Sequence, residues 1–216
     1  MSLFTIITQF LALVVAITTH EAAHGAAAYA FGDDTAKRAG RLTFNPIAHV
    51  DLMGTIILPG LLMLTHAPFL FGWAKPVPVD FNALTHRRLG LIVVAFAGPA
   101  VNLLLAWCAM LFLAETHTAG HEILTAVIRI NLVLAAFNLI PLLPLDGGRI
   151  LSGILPPALA YSYQMTERYG MLIILGLVMA PSVFALVGIE FSPLMWVLRP
   201  IYEALATGLL FLSGHG

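Results

Sequence analysis

The sequence predicts an all-α polytopic membrane protein with about five to six hydrophobic segments, a re-entrant element and short extended strands near its most polar cluster. Three observations carry this. Charged residues make up 10% of the 216, against ~25% in an ordinary soluble domain. Mean hydropathy is +0.94, so a soluble globule of this size would leave large apolar areas in water. Long stretches such as residues 89–114 and 171–189 carry no charge at all. The net charge of −1 excludes a basic nucleic-acid binder. The single cysteine, Cys108, excludes an internal disulfide and a multi-cysteine metal site.

The first segment, residues 3–31, has no proline, lysine or arginine. At 1.5 Å per residue it reaches ~43 Å, enough for a ~30 Å hydrocarbon core. It lacks a basic leader and reads as a retained helix, not a cleaved signal. Small residues in its second half (Ala22, Ala23, Gly25 to Ala28) suit close helix packing in lipid. Residues 52–64 are apolar but too short to span, with Pro59-Gly60 inside and further apolar surface at Phe69 to Phe71. Residues 89–114 form a strong transmembrane helix. Residues 123–145 form the next segment, with Arg129 near its start, where it reaches the surface by snorkelling. Pro141 and Pro144 lie near its end. Residues 171–189 and 191–212 complete the set, and Arg199 and Glu203 share one face of the last helix, four apart. The whole chain, 1–216, reads as one membrane domain, with a core over about 1–155 and accessory helices over about 168–212.

Depth arithmetic sets the topology. His20 lies near the C-terminal end of its segment, and so does Asp146. For them to meet, both segments must end on one side, so residues 32–88 begin and end on that side and 52–71 dips in and returns against the other helices. Lys37, Arg38, Arg41, Lys75, Arg87, Arg88, Arg149 and Arg168 then fall on one face, and basic loops favour the cytoplasm.

His20-Glu21-Ala22-Ala23-His24 reads H-E-x-x-H. On a helix the two histidines share a face and can hold one metal, with the glutamate turned toward its open position. Zinc in such a site lowers the pKa of bound water to ~7, and a glutamate in reach takes the proton. Three ionisable groups in five positions of a membrane span are costly, and a metal compensates them. A catalytic zinc asks for a third protein ligand. Asp146, between the helix-ending prolines and Gly147-Gly148, is the candidate. Asn102 and Asn138 serve either as interhelical hydrogen bonds or as oxyanion or substrate-positioning groups. Asn45, His49 and Asp51 are candidates to line a water path, or to fix a loop. His66, His86, His117, His121 and His215 have no partner at ligand spacing.

These motifs resemble the site-2 protease family of intramembrane zinc metalloproteases. The resemblance rests on His20-Glu21-Ala22-Ala23-His24, on Gly98-Pro99-Ala100-Val101-Asn102, and on the stretch from Asn138 through Pro141 and Pro144 to Asp146-Gly147. Asn45-Pro46, His49-Val50-Asp51 and residues 71–79 are similar to its compact branch without PDZ or CBS domains. It covers the chain to about residue 155. It implies one zinc per chain on His20, His24 and Asp146, with Glu21 as general base. It implies cleavage in or near a transmembrane helix of a membrane-protein substrate, in a prokaryotic cell membrane with the active site toward the cytoplasm. Partners are then the substrate and the lipid bilayer, with no nucleic acid; the sequence is silent on oligomeric state.

A substrate helix must be held extended for attack, and strand addition does this. Residues 41–45 and 77–81 are the expected strands near the active site. The competing readings are a proton- or metal-coupled transporter, a non-catalytic zinc-binding adaptor, and a zinc hydrolase of lipid or prenylated substrates. No internal repeat supports the transporter, and an intact Glu21 speaks against the adaptor.

Overall fold

Ser2 starts the first helix, α1 (Leu3–Ala30), with its hydroxyl accepting from Thr5 N at 3.0 Å. With no proline inside, α1 runs until Gly32, whose φ of +95° ends it. The computed structural model describes residues 2–64, 72–116 and 118–214; the expectations for Phe69 to Phe71 and for His66, His117 and His215 lie outside them.

After the single turn of α2 (Thr35–Arg38) and a 3₁₀ turn at Pro46–His49 comes a π-helical turn, Leu52–Ile57, running into α3 (Leu58–Leu64). Asp51 caps it by accepting from Gly54 N at 2.7 Å. The 13 residues of turn and helix rise at most about 20 Å, short of a ~30 Å core. The chain then returns to where it left. Trp73 N donates to Gly54 O at 3.1 Å, Thr55 Oγ1 to Trp73 O at 2.9 Å, and Lys75 N to His49 O at 2.9 Å. A re-entrant element needs this closure. Its packing differs from expectation: Gly54 lies against the Trp73 indole, while Leu52, Met53, Ile56, Ile57, Leu61 and Leu64 are exposed instead of set into the helix core.

No β-ladder forms among the described residues, so the strands expected over 41–45 and 77–81 are a correction. Pro76 and Pro78 have no N–H to give a ladder. The Val77 N–H between them goes to Glu21, and the Arg41 side chain takes the Lys75 carbonyl at 2.7 Å.

Helices α4 (Arg87–Leu113), α5 (Ala119–Asn138), α6 (Asp146–Ile154), α7 (Pro157–Gln164), α8 (Glu167–Ala185) and α9 (Pro193–Leu212) follow. Five helices, α1, α4, α5, α8 and α9, are long and apolar enough to cross a membrane, and the protein is an integral membrane protein. Helix α5 stops at Asn138, earlier than the expected 145, because Pro141 and Pro144 cannot continue it. Arg199 and Glu203 pair at 2.6 Å on α9 as their spacing predicts.

Helix α4 contacts both α1 and α5, which also touch each other; α6 lies on α4, α9 on α5, and α8 on α9. Alanines make the close approach: Ala16, Ala106, Ala135 and Ala136 are wholly buried. Ala106, Met110, Leu132 and Leu209 join α4, α5 and α9 in one apolar cluster. The outward faces carry exposed Phe10, Val15, Leu104 and Phe112, as a lipid-facing surface requires.

Candidate metal centre

His20 and His24 sit one turn apart on α1, their Nε2 atoms 3.1 Å from each other. Asp146, the first residue of α6, meets both. Its Oδ2 is 3.2 Å from His20 Nε2 and its Oδ1 3.4 Å from His24 Nε2. That meeting puts the C-terminal ends of α1 and α5 on one side, as the depth arithmetic requires. His20 and Asp146 are buried.

The other ring nitrogens are held from behind. His20 Nδ1 lies 2.6 Å from Asn102 Oδ1, and His24 Nδ1 2.7 Å from Val94 O. The Asn102 amide is oriented by its own donors, to Ala16 O at 3.2 Å and Asn131 Oδ1 at 2.8 Å. Both histidines therefore donate from Nδ1, which leaves their Nε2 lone pairs bare and converging. Pro99 removes a backbone donor from α4 beside the Val94 carbonyl.

Two tests show that these residues fit a divalent cation of the zinc type. Asp146 Oδ2 is buried without a hydrogen bond among the described residues, beside two lone pairs that repel one another unless a cation lies between them. A Cβ on Gly98 would fall 2.5 Å from His24 Nε2 and 2.6 Å from His20 Nε2. Glycine keeps open the volume those nitrogens face. Two imidazoles and a carboxylate, their candidate ligand atoms all within 4.8 Å of one another, are a zinc donor set with room for a fourth ligand.

Close backbone packing brings Asp146 here. A Cβ on Gly147 would lie 2.3 Å from Leu139 O, and one on Gly148 2.5 Å from Leu143 N. These glycines lie inside α6 and let it seat on residues 139–143. Gly170 of α8 does the same against the Leu143 carbonyl.

Glu21 lines a cavity of about 440 Å³ with His20, His24, Val77, Asn138 and Asp146. Its Oε2 accepts from Val77 N at 2.8 Å, which leaves Oε1 for a proton. Asn138 faces the same cavity and spends one amide hydrogen on Leu134 O at 3.0 Å. Asn102 does not face it. It is completely buried behind His20, so of its two expected roles the interhelical hydrogen bond fits, and it positions a metal-ligand candidate instead of meeting substrate. Asn45, His49 and Asp51 are absent from the cavity wall. They fix the loop instead, through Ile47 N, Thr43 O and Gly54 N. Gly98, Val94, Val77 and Asn131 were not singled out by residue chemistry. Gly98 was marked only by the resemblance and Val77 by the resemblance and the expected strand, and nothing in the sequence pairs Val77 with Glu21.

The model of peptidase family M50, the site-2 protease family, matches residues 114–181, which hold Asn138 and Asp146. A Bacillus subtilis protein named "Putative zinc metalloprotease YwhC" is 43% identical over 180 residues, 78% of each chain. The chain belongs to peptidase family M50. Another relative, "Putative zinc metalloprotease Rip2" of Mycobacterium tuberculosis, is 31% identical over 176 residues, covering 78% of this chain and 65% of its own. "Zinc metalloprotease MJ0392" of Methanocaldococcus jannaschii is 34% identical over 74 residues, 33% of this chain and 22% of its own. No solved structure matches the chain. The M50 family match begins after α1 and α4, and the geometry brings Asp146, within it, onto His20 and His24.

Proposed function

We propose that the protein is an intramembrane zinc endopeptidase that hydrolyses a peptide bond in or near a transmembrane helix of a membrane-protein substrate, as in regulated intramembrane proteolysis. One zinc per chain is held by His20, His24 and Asp146. The observation that carries this is the convergence of their ligand atoms between apolar helices, with Glu21 on the same cavity wall. Zinc, when bound, acidifies water and polarises the scissile carbonyl. Glu21 Oε1 accepts the proton from the attacking water and returns it to the departing amine. Val77 N–H steadies the other oxygen and keeps the carboxylate aimed. The second amide hydrogen of Asn138 supports charge developing on the carbonyl oxygen. The substrate lies extended along residues 77–81, where Val77, Val79 and Phe81 reach the cavity. The basic residues at this end of the bundle support a site toward the cytoplasm, and the bacterial and archaeal relatives support a prokaryotic cell membrane.

The test is cleavage of single-span peptides in liposomes by wild type and Glu21→Gln, with zinc counted in both. Cleavage by wild type alone, at about one zinc per chain in both, is the expected result. Absence of zinc from either protein after metal is supplied would overturn the reading in favour of a carrier.

A further inference from the structure

A second cavity, of about 430 Å³, opens at the same end of the bundle between the start of α4, α6 and α7. Arg87, Arg88 and Arg149 line it, and Glu167 is the only carboxylate on its wall among the described residues. Arg149 Nη2 pairs with Glu167 Oε1 at 3.2 Å. Among the described residues Arg87 donates only to the neutral Asn82 amide. Arg88 donates to the closing carbonyls of α6, from Nε to Gly153 O at 3.1 Å and from Nη2 to Ile154 O at 3.1 Å and to Leu155 O. These contacts hold the two guanidiniums in place without cancelling their charge. Three cations against one anion leave the cavity two positive charges in excess, and each guanidinium has N–H donors to spare.

The depth of the cavity says what faces it. Arg87 opens a membrane-crossing helix. The short α7 beside the cavity has no buried residue, and Leu159, Tyr161 and, just beyond it, Tyr169 are exposed. Exposed tyrosine and leucine at the end of a span mark the headgroup layer. Planar forks of donors on a net positive wall match phosphate oxygens.

We propose that this cavity binds a phosphate group, presented by an anionic phospholipid headgroup at the membrane surface. The site is separate from the metal centre, although Arg149 and Phe81 stand in the wall between the two cavities. It does not depend on the peptidase reading.

The test uses the full chain in detergent, titrated with phosphatidylglycerol, with phosphatidylcholine and with inorganic phosphate, binding being read by native mass spectrometry and calorimetry. Phosphatidylglycerol is expected to bind more tightly than phosphatidylcholine, whose choline cancels the charge. Arg87→Gln should weaken it about tenfold or more, and Arg87→Lys should restore part of the loss. Glu167→Gln frees Arg149 and should tighten binding, an opposite sign that a general loss of structure would not produce. Circular dichroism reports folding in each variant. Inorganic phosphate binding with the same pattern would support the site and identify a soluble source. Equal binding by wild type, Arg87→Gln and Glu167→Gln, or no binding of either anionic probe, would overturn it.

Discussion

Replacing Gly98 with alanine adds one methyl group at the most constrained point of the site. The new Cβ would lie 2.5 Å from His20 Cε1 and His24 Nε2 and 2.6 Å from His20 Nε2, where ordinary contact begins at 3.4 Å. About 0.9 Å must be found, more than the ~0.5 Å that a preorganised site tolerates. The rings have little freedom to supply it, since Asn102 and Val94 hold them from behind. The methyl also takes volume beside both Nε2 atoms, where zinc would sit ~2.0–2.1 Å away. The helix itself should not suffer, because alanine is a better helix former than glycine by ~1 kcal/mol. The expected outcome is a zinc affinity at least ~100-fold weaker, with helicity close to wild type and the metal-free protein destabilised by about 1–3 kcal/mol through overpacking. Chelator competition measures the first and circular dichroism the second. Wild-type zinc affinity in Gly98→Ala would refute the argument that Gly98 keeps a metal cradle open.

Three further outcomes follow from particular contacts. Asn102→Leu removes the acceptor behind His20 and should weaken zinc binding by ~10–100-fold in the same competition assay, with helix content unchanged. Val79 N makes no hydrogen bond among the described residues, so Val79→Pro should cut peptide turnover by about tenfold or more while zinc content stays constant; unchanged turnover would remove residues 77–81 as a substrate edge. Burial alone would raise the Asp33 carboxyl, but hydrogen bonds from Thr35 Oγ1, Thr35 N and Asp80 N, with the charge of Arg38, hold it below its ordinary value. A lowered folded pKa gives stability that is present above the unfolded value and lost as pH falls through the folded one. Asp33→Asn should therefore cost about 1–3 kcal/mol at neutral pH, and the difference from wild type should shrink in unfolding curves below about pH 4.

Helical periodicity made half of the candidate metal centre legible. The i, i+4 spacing places His20 and His24 on one face wherever α1 is a helix, and an apolar, proline-free run leaves no alternative. Asp146 was legible by a weaker route, as a carboxylate just after two prolines. The sequence suggested a broken helix end, whereas the structure starts a new helix with Asp146 and seats it through the backbone contacts of Gly147 and Gly148. Period-based reading fails at such places because the partner of a glycine is another piece of backbone. The extended strands failed for a related reason. A Pro-Val-Pro stretch looks like an edge, but its single N–H can go to a side chain, and here it goes to Glu21.

The polar groups between α1, α4 and α5 form one connected set. Val127 O accepts from Asn131, Asn131 Oδ1 from Asn102, Asn102 Oδ1 from His20, and Val94 O from His24. Away from water, unsatisfied polar groups cost several kcal/mol each, so a chain of matched donors and acceptors is the form such a set must take. Every direction along this chain runs donor to acceptor until it reaches the two bare Nε2 atoms and Asp146 Oδ2, which has no hydrogen bond among the described residues. Only acceptors meet there. A proton would satisfy one pair of them; a divalent cation satisfies all three at once, and Gly98 keeps open the space beside the nitrogens that it would occupy.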